Sequence, residues 1–278
     1  MKAFVLSGGG NLGASQVGAV LALHERGIVP DLLVGTSAGA INASYLAGDP
    51  TLDGARRLAE IWSGLRTRDV FRFPSPLRIV RQLRSDALYR SDDLKRLLDR
   101  SLPYSDIEDA QTDLRIVATD LETGEAVALG SGSVVQAVLA SSALPGLFPP
   151  VRIGDRLYVD GGIADNVPIA PAVASGADEI YVLRAGFGCP LGTRLRATDV
   201  LWRSIGLLLN RALDADVRRF SDHARIVVLP SPCVPPMPIW NLSHSRELIA
   251  ESRRVVGDYL DGAGAIAVLP PHIALRTA

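Results

Sequence analysis

The stretch Val34-Gly35-Thr36-Ser37-Ala38-Gly39-Ala40-Ile41-Asn42 constrains this chain more than any other. It reads Gly-x-Ser-x-Gly, with the apolar run Leu32-Leu33-Val34 before it and the small-residue run Ala40 to Ala47 after it. Strand, tight turn and helix are the context in which a serine is lifted out as a nucleophile. A serine in such a turn crowds its neighbours, and Gly35 and Gly39 leave room for that crowding. The following helix aims its N-terminal N–H groups at the serine and favours negative charge there. The competing reading is a chance match in a chain with 26 glycines. The flanking pattern favours the nucleophile.

Upstream, Lys2 to Ser7 has the composition of a short buried strand, followed by Gly8-Gly9-Gly10-Asn11-Leu12-Gly13. Ala14 to Glu25 then carries Val17, Val20, Leu21 and His24 along one helical face, with Gly27 as its stop. Asp31 to Val34 is a second strand running into the elbow. Two short, wholly apolar strands with a helix between them predict a parallel sheet covered on both faces. The glycine loop formally matches the dinucleotide fingerprint Gly-x-Gly-x-x-Gly. That fingerprint wants an acid at the end of the second strand, where this chain has Gly35-Thr36-Ser37. An oxyanion hole is the preferred reading: consecutive glycines at Gly8, Gly9 and Gly10 let bare N–H groups converge on one oxygen beside Ser37.

Further along, the patterning predicts helices over Thr51–Leu65 and Ser91–Arg100, the latter with Ser91 as N-cap. Strands Leu114–Thr119 and Ala126–Leu129 form a hairpin, and Ser133–Ser142 is an apolar helix. A second hairpin, Val151–Ile153 with Arg156–Val159, runs into Asp160-Gly161-Gly162. A carboxylate at a strand end beside glycines suits a positioned base, although Asp-Gly is by itself more often a turn. Glu179–Leu183 and Ala224–Leu229 read as strands, Leu195–Phe220 and Ser245–Leu260 as helices, and Pro230–Pro238 as a stiff extended segment. No composition break divides the chain, so 1–278 reads as one domain: a motif-bearing core over about 2–185, a C-terminal part over 186–262 and a tail over 263–278.

Composition excludes several classes. A net charge of −1 implies no nucleic-acid partner. The two cysteines, Cys189 and Cys233, make no disulfide framework and no zinc spacing, and are read as buried or free thiols. The N-terminus lacks the long apolar region of a signal peptide, and no apolar run is long enough to span a bilayer. The expectation is a reducing, cytoplasmic compartment. Arg66 to Arg84 sets Arg66, Arg68, Arg72, Arg78, Arg81 and Arg84 against a single acid, Asp69, among apolar residues. Such a stretch suits transient, peripheral contact with an anionic lipid surface or a lid; a solvated face is the slightly preferred reading.

Taken in order, the glycine loop, Gly35-Thr36-Ser37-Ala38-Gly39, Ala140-Ser141-Ser142-Ala143-Leu144-Pro145 with Phe148-Pro149-Pro150-Val151, and Asp160-Gly161-Gly162 with Asp165-Asn166-Val167-Pro168 resemble the patatin-like phospholipase family. The resemblance covers roughly Lys2 to Ala185. It implies a three-layer α/β/α sandwich around a mainly parallel sheet, and cleavage of acyl esters of lipids or phospholipids with no metal and no cofactor. It implies Ser37 and Asp160 as a Ser–Asp dyad and the Gly8–Gly10 backbone as oxyanion hole. Gly13, Gly35, Gly39, Gly161 and Gly162 complete the motifs. Leu12 departs from the family, which usually has a basic residue there. The alternatives are a Ser–acid–His triad drawing on His223, His244 or His272, a dinucleotide-binding oxidoreductase, and a non-catalytic lipid-binding or scaffold protein.

Overall fold

Short, β-branched and leucine-rich runs become the strands of one eight-stranded sheet, and the small-residue and amphipathic runs become helices against it. The computed structural model describes residues 1–70, 89–186, 197–233, 238 and 240–262. In chain order the elements are β1 (Lys2–Leu6), α1 (Gly13–His24), β2 (Leu32–Thr36), α2 (Ala38–Gly48), α3 (Leu52–Gly64) and α4 (Thr67–Val70). They continue as α5 (Asp92–Ser101), β3 (Asp113–Asp120), β4 (Ala126–Leu129), α6 (Val134–Ser141), β5 (Val151–Ile153) and β6 (Arg156–Asp160). The last are α7 (Ile169–Ala174), β7 (Glu179–Leu183), α8 (Ala197–Phe220), β8 (Arg225–Val228) and α9 (Ser245–Leu260).

The sheet order is β5-β6-β3-β2-β1-β7-β8, with β4 on β3. Strands β3, β2, β1, β7 and β8 are mutually parallel, while β4 and β6 pair antiparallel with β3, and β5 pairs antiparallel with β6. This is the mainly parallel sheet expected. Alternation along the central strands separates two cores. Phe4, Leu6, Tyr181 and Leu183 face α1, α2, α3 and α9, where Val20, Leu46, Leu58 and Ile249 fill the layer. Ala3, Val5, Ile180 and Val182 face α7 and α8, meeting Ile169, Ala172 and Leu213. Helix, sheet and helix thus make three layers, an α/β/α sandwich.

Most elements fall within a residue or two of their sequence boundaries. Strand β2 runs on to Thr36, so the strand ends directly at Ser37. Thr51 caps α3 by accepting the Gly54 N–H, whereas Ser91 makes no side-chain cap bond at α5. The expectation of two free thiols fails at Cys233, which is disulfide-bonded. Sequence spacing does not limit which cysteines a fold brings together. Cys189, residues 71–84 of the basic stretch, 187–196, 234–237 and the tail after Gly262 lie outside the described residues.

Candidate active site

The site lies at the C-terminal edge of the parallel strands, where open α/β sheets bind ligands. Sheet register assembles it. Thr36 at the end of β2 pairs with Val117 of β3, and the next residue of β3, Ala118, pairs with Asp160 at the end of β6. Ser37 and Asp160 therefore emerge on neighbouring rows with β3 between them. The Ser37 hydroxyl donates to Asp160 Oδ2 at 2.7 Å. Asp160 Oδ1 accepts the Gly162 N–H at 2.8 Å, and its backbone is held by Ala143 O and the Thr119 hydroxyl.

Ser37 has φ 55 and ψ −121, the only positive φ outside glycine among the described residues. That conformation costs about 1–3 kcal/mol and persists because its surroundings fix it. The elbow is closed tightly: a Cβ on Gly35 would lie 2.4 Å from Gly39 O, and one on Gly39 would lie 2.2 Å from Leu6 O. Only glycine fits at either position. The Ser37 N–H donates to Ser141 Oγ at 2.8 Å, and Ser141 Oγ donates in turn to Val117 O at 2.5 Å. Ser141 therefore braces the strained residue. The sequence reading quoted it within a motif but assigned it no role, since a serine at a helix end carries no signal of a partner 104 positions away.

Gly161 lets Asp160 and Ser37 come together. A Cβ there would lie 2.2 Å from Val117 O, so β6 turns away against β3 with no side chain between them. Asp160 is 3% exposed, and that burial pushes its carboxyl from 3.8 up to about 6, against the opposing pull of the Ser37 and Gly162 hydrogen bonds. A carboxylate raised this far is a better proton acceptor than an ordinary one and still ionised at neutral pH.

The structure corrects one member of the expected oxyanion hole. The Gly8 N–H donates to Asn166 O at 3.0 Å and has no hydrogen to offer a ligand. The next residues differ: neither the Gly9 nor the Gly10 N–H has a hydrogen-bond partner among the described residues. The Gly8 turn lies against Ser37, since a Cβ on it would sit 3.4 Å from Ser37 Cβ. Gly13 and Gly162 are also closely packed, with hypothetical Cβ atoms 2.9 Å from Ala38 Cβ and from Asn166 Oδ1. Leu12 is partly buried against the main core, so this position packs where a basic side chain would add charge.

The three described histidines are engaged elsewhere. His24 lies with Nδ1 3.0 Å from Val20 O and Nε2 3.1 Å from Pro50 O. His244 Nδ1 is 2.8 Å from Glu247 Oε2, and the His223 ring meets the edge of Phe220. His272 lies outside the described residues. Among the described residues no group of three or more His, Cys, Asp or Glu is placed to hold a metal ion, and no helix is long and apolar enough to cross a membrane.

Comparison with known proteins gives three kinds of match. A family model described as patatin-like phospholipase matches residues 4–173. An uncharacterised NTE family protein of Mycobacterium tuberculosis is 32% identical over 193 residues, 66% of this chain and 31% of that protein. Lysophospholipase NTE1 of Phaeosphaeria nodorum is 31% identical over 182 residues, 66% of this chain and 12% of that protein. The chain thus spans less than a third of the length of these curated relatives. Among solved structures, human GIVD cytosolic phospholipase A2 in complex with methyl gamma-linolenyl fluorophosphonate aligns over 94% of this chain and 58% of that one, at 15% identity and a TM-score of 0.49.

Proposed function

The chain belongs to the patatin-like phospholipase family, and from that premise we propose that it hydrolyses acyl esters of lipids, with Ser37 as nucleophile and Asp160 as its base. The observation that carries this reading is the 2.7 Å hydrogen bond from a strained elbow serine to a buried carboxylate. Ser37 Oγ attacks the ester carbonyl carbon while its proton passes to Asp160 Oδ2. The carbonyl oxygen takes up the charge between the Gly9 and Gly10 N–H groups, and each such donor lowers the barrier by roughly 3–4 kcal/mol. Collapse of the tetrahedral intermediate breaks the bond to the alcohol, which leaves with the proton from Asp160. Water, giving its proton to the same carboxylate, then attacks the acyl carbon, and the bond to Ser37 Oγ breaks as Asp160 returns that proton to it, freeing the fatty acid. The N-terminus of α2 adds a favourable dipole at the oxyanion.

The base needs no histidine in this scheme. A carboxyl at about 6 is ionised at pH 7 yet takes a proton more readily than a solvent-exposed aspartate. The name of the fungal relatives supports testing lysophospholipids first, alongside diacyl phospholipids and simple carboxylic esters. Helix α9 shares a core with β1 and α1 through Leu248, Ile249 and Val256, which supports one domain across the described residues. Contact of stretch 66–84 with an anionic lipid surface is proposed from sequence, and its described turn exposes Arg66 and Arg68. Salt-sensitive sedimentation with anionic vesicles, reduced by Arg66→Ala with Arg68→Ala, is the expected result; unchanged sedimentation defeats that contact.

The reaction class is tested with a fluorophosphonate probe and peptide mapping. Labelling is expected at Ser37, with both labelling and ester turnover lost in Ser37→Ala. Turnover that survives Ser37→Ala would sink the assignment.

A further inference from the structure

Between α1, α2 and α3 the otherwise apolar core contains a chain of side-chain amides. The Trp62 Nε1–H donates to Asn42 Oδ1 at 2.7 Å. Asn42 Nδ2 donates to Gln16 Oε1 at 2.9 Å and to Gly13 O at 3.0 Å. Gln16 Nε2 donates to Ser7 O at 2.7 Å and to Leu183 O at 3.1 Å. Gln16 and Asn42 are 0% exposed, and Trp62 is 5% exposed. Both amides have their two N–H groups and their carbonyl engaged. An indole N–H can only donate and backbone carbonyls can only accept, so the two ends fix which way each amide faces. The donors from Trp62 through Asn42 and Gln16 run one way, from α3 towards the ends of β1 and β7, with one Asn42 N–H branching to Gly13 O, and such aligned hydrogen bonds reinforce one another in a dry interior.

The chain of amides ends at the glycine loop. The peptide between Ser7 and Gly8 is gripped on both sides: Gln16 holds Ser7 O, and Asn166 O holds the Gly8 N–H. The far end of the loop is gripped at Gly13 O by Asn42. Between these grips lie the unpartnered N–H groups of Gly9 and Gly10. Asn42 sits on α2, the helix that Ser37 begins, and Gln16 sits on α1, the helix that the loop begins. The tie therefore sets the loop's distance from the nucleophile. An apolar side chain of similar size fills the same space, but a single substitution leaves its buried partners unpaired at about 1–3 kcal/mol each, so the folded fraction is measured beside the rate.

We propose that Gln16 and Asn42, oriented by Trp62, are positioning residues that hold the Gly9 and Gly10 amides in register with Ser37; this rests on the reading of the glycine loop as oxyanion hole given above. They touch no reacting atom. Their effect falls on the transition state, where donors must meet the oxygen to within a fraction of an ångström, and leaves ground-state binding of the acyl chain alone.

The test compares Gln16→Met, Asn42→Leu and Trp62→Phe with the unaltered protein, using a p-nitrophenyl ester and a trifluoromethyl ketone that forms a tetrahedral adduct. For the first two, kcat is expected to fall ~10–100-fold with KM within about twofold. Binding of the ketone is expected to weaken in parallel with kcat/KM. Trp62→Phe removes the N–H together with part of the indole ring and is expected to lower kcat by ~2–5-fold. A kcat within about twofold of the original for Gln16→Met and Asn42→Leu overturns the proposal. So does a loss that the unfolded fraction, measured by near-ultraviolet circular dichroism, accounts for in full. If both variants fail to fold, an unchanged kcat in Trp62→Phe overturns it, and a lowered kcat at unchanged KM supports it. Turnover surviving Ser37→Ala would instead remove the reaction on which the proposal stands.

Discussion

Replacing Asp160 by asparagine is expected to abolish turnover and to stabilise the protein at neutral pH. In the folded chain the carboxyl is raised from 3.8 to about 6 because burial penalises its charge. The folded state therefore holds the proton more tightly than the unfolded state. Stability falls as pH rises through the window from about 4 to about 6, opposite to the usual salt-bridged aspartate. Each pH unit of that gap is worth about 1.4 kcal/mol, so ionised Asp160 costs the fold about 3 kcal/mol at pH 7. Asparagine is neutral at every pH and can keep one bond to the Gly162 N–H and one to Ser37. Its advantage over aspartate should grow by about 2–3 kcal/mol between pH 4 and pH 7. Comparing the two pH values cancels whatever constant effect the substitution has on packing. Urea unfolding of both proteins at each pH, followed by tryptophan fluorescence, measures the difference. An advantage that is the same at pH 4 and pH 7, or that shrinks as pH rises, would refute the assignment of a raised carboxyl.

The same carboxyl should shape the rate profile: kcat/KM is expected to fall about tenfold per unit below pH 6, where an ordinary aspartate would hold the rate flat to near pH 4, and stopped-flow or spectrophotometric ester assays across pH 4–8 test this. Ser141→Ala leaves the buried Ser37 N–H without its acceptor and should cost about 1–3 kcal/mol in urea unfolding while lowering kcat; unchanged stability and rate would show that the elbow is braced elsewhere. His223→Ala and His244→Ala should each keep ester turnover within about twofold, because their rings bond away from the site; near-total loss in either would restore a Ser–His mechanism. Gly9→Ala should fail as an active enzyme, since its Cβ would sit 2.1 Å from Ala185 Cβ and push the loop out of place; full activity would remove Gly9 from the oxyanion site.

Much of this was legible from residue order. Helical spacing of the apolar positions placed α1 and α3, and apolar composition placed α6 and the central strands, because local burial is written in local sequence. The elbow was legible because Gly35 and Gly39 are required by contacts within a few residues and with the adjacent strand. The free thiols expected at Cys189 and Cys233 and the donor role expected of Gly8 were not upheld for Cys233 and Gly8. For the Gly8 amide the deciding partner, Asn166, lies far away in sequence, and composition does not state the redox form of Cys233.

Sequence alone thus determined the parts: a serine on a bend, a run of bare amides before it, and strands and helices in an order that can only close as a covered sheet. Tertiary structure decided what those parts do to one another. Register across β2, β3 and β6 carried Asp160 to Ser37, and burial in that place raised its proton affinity. Long-range hydrogen bonds from Asn166 and Gln16 decided which loop amides are occupied and which stay open. The physical reason is range: backbone preference and amphipathic period act over a few residues, whereas desolvation and hydrogen bonding depend on whatever the folded chain brings within about 3 Å.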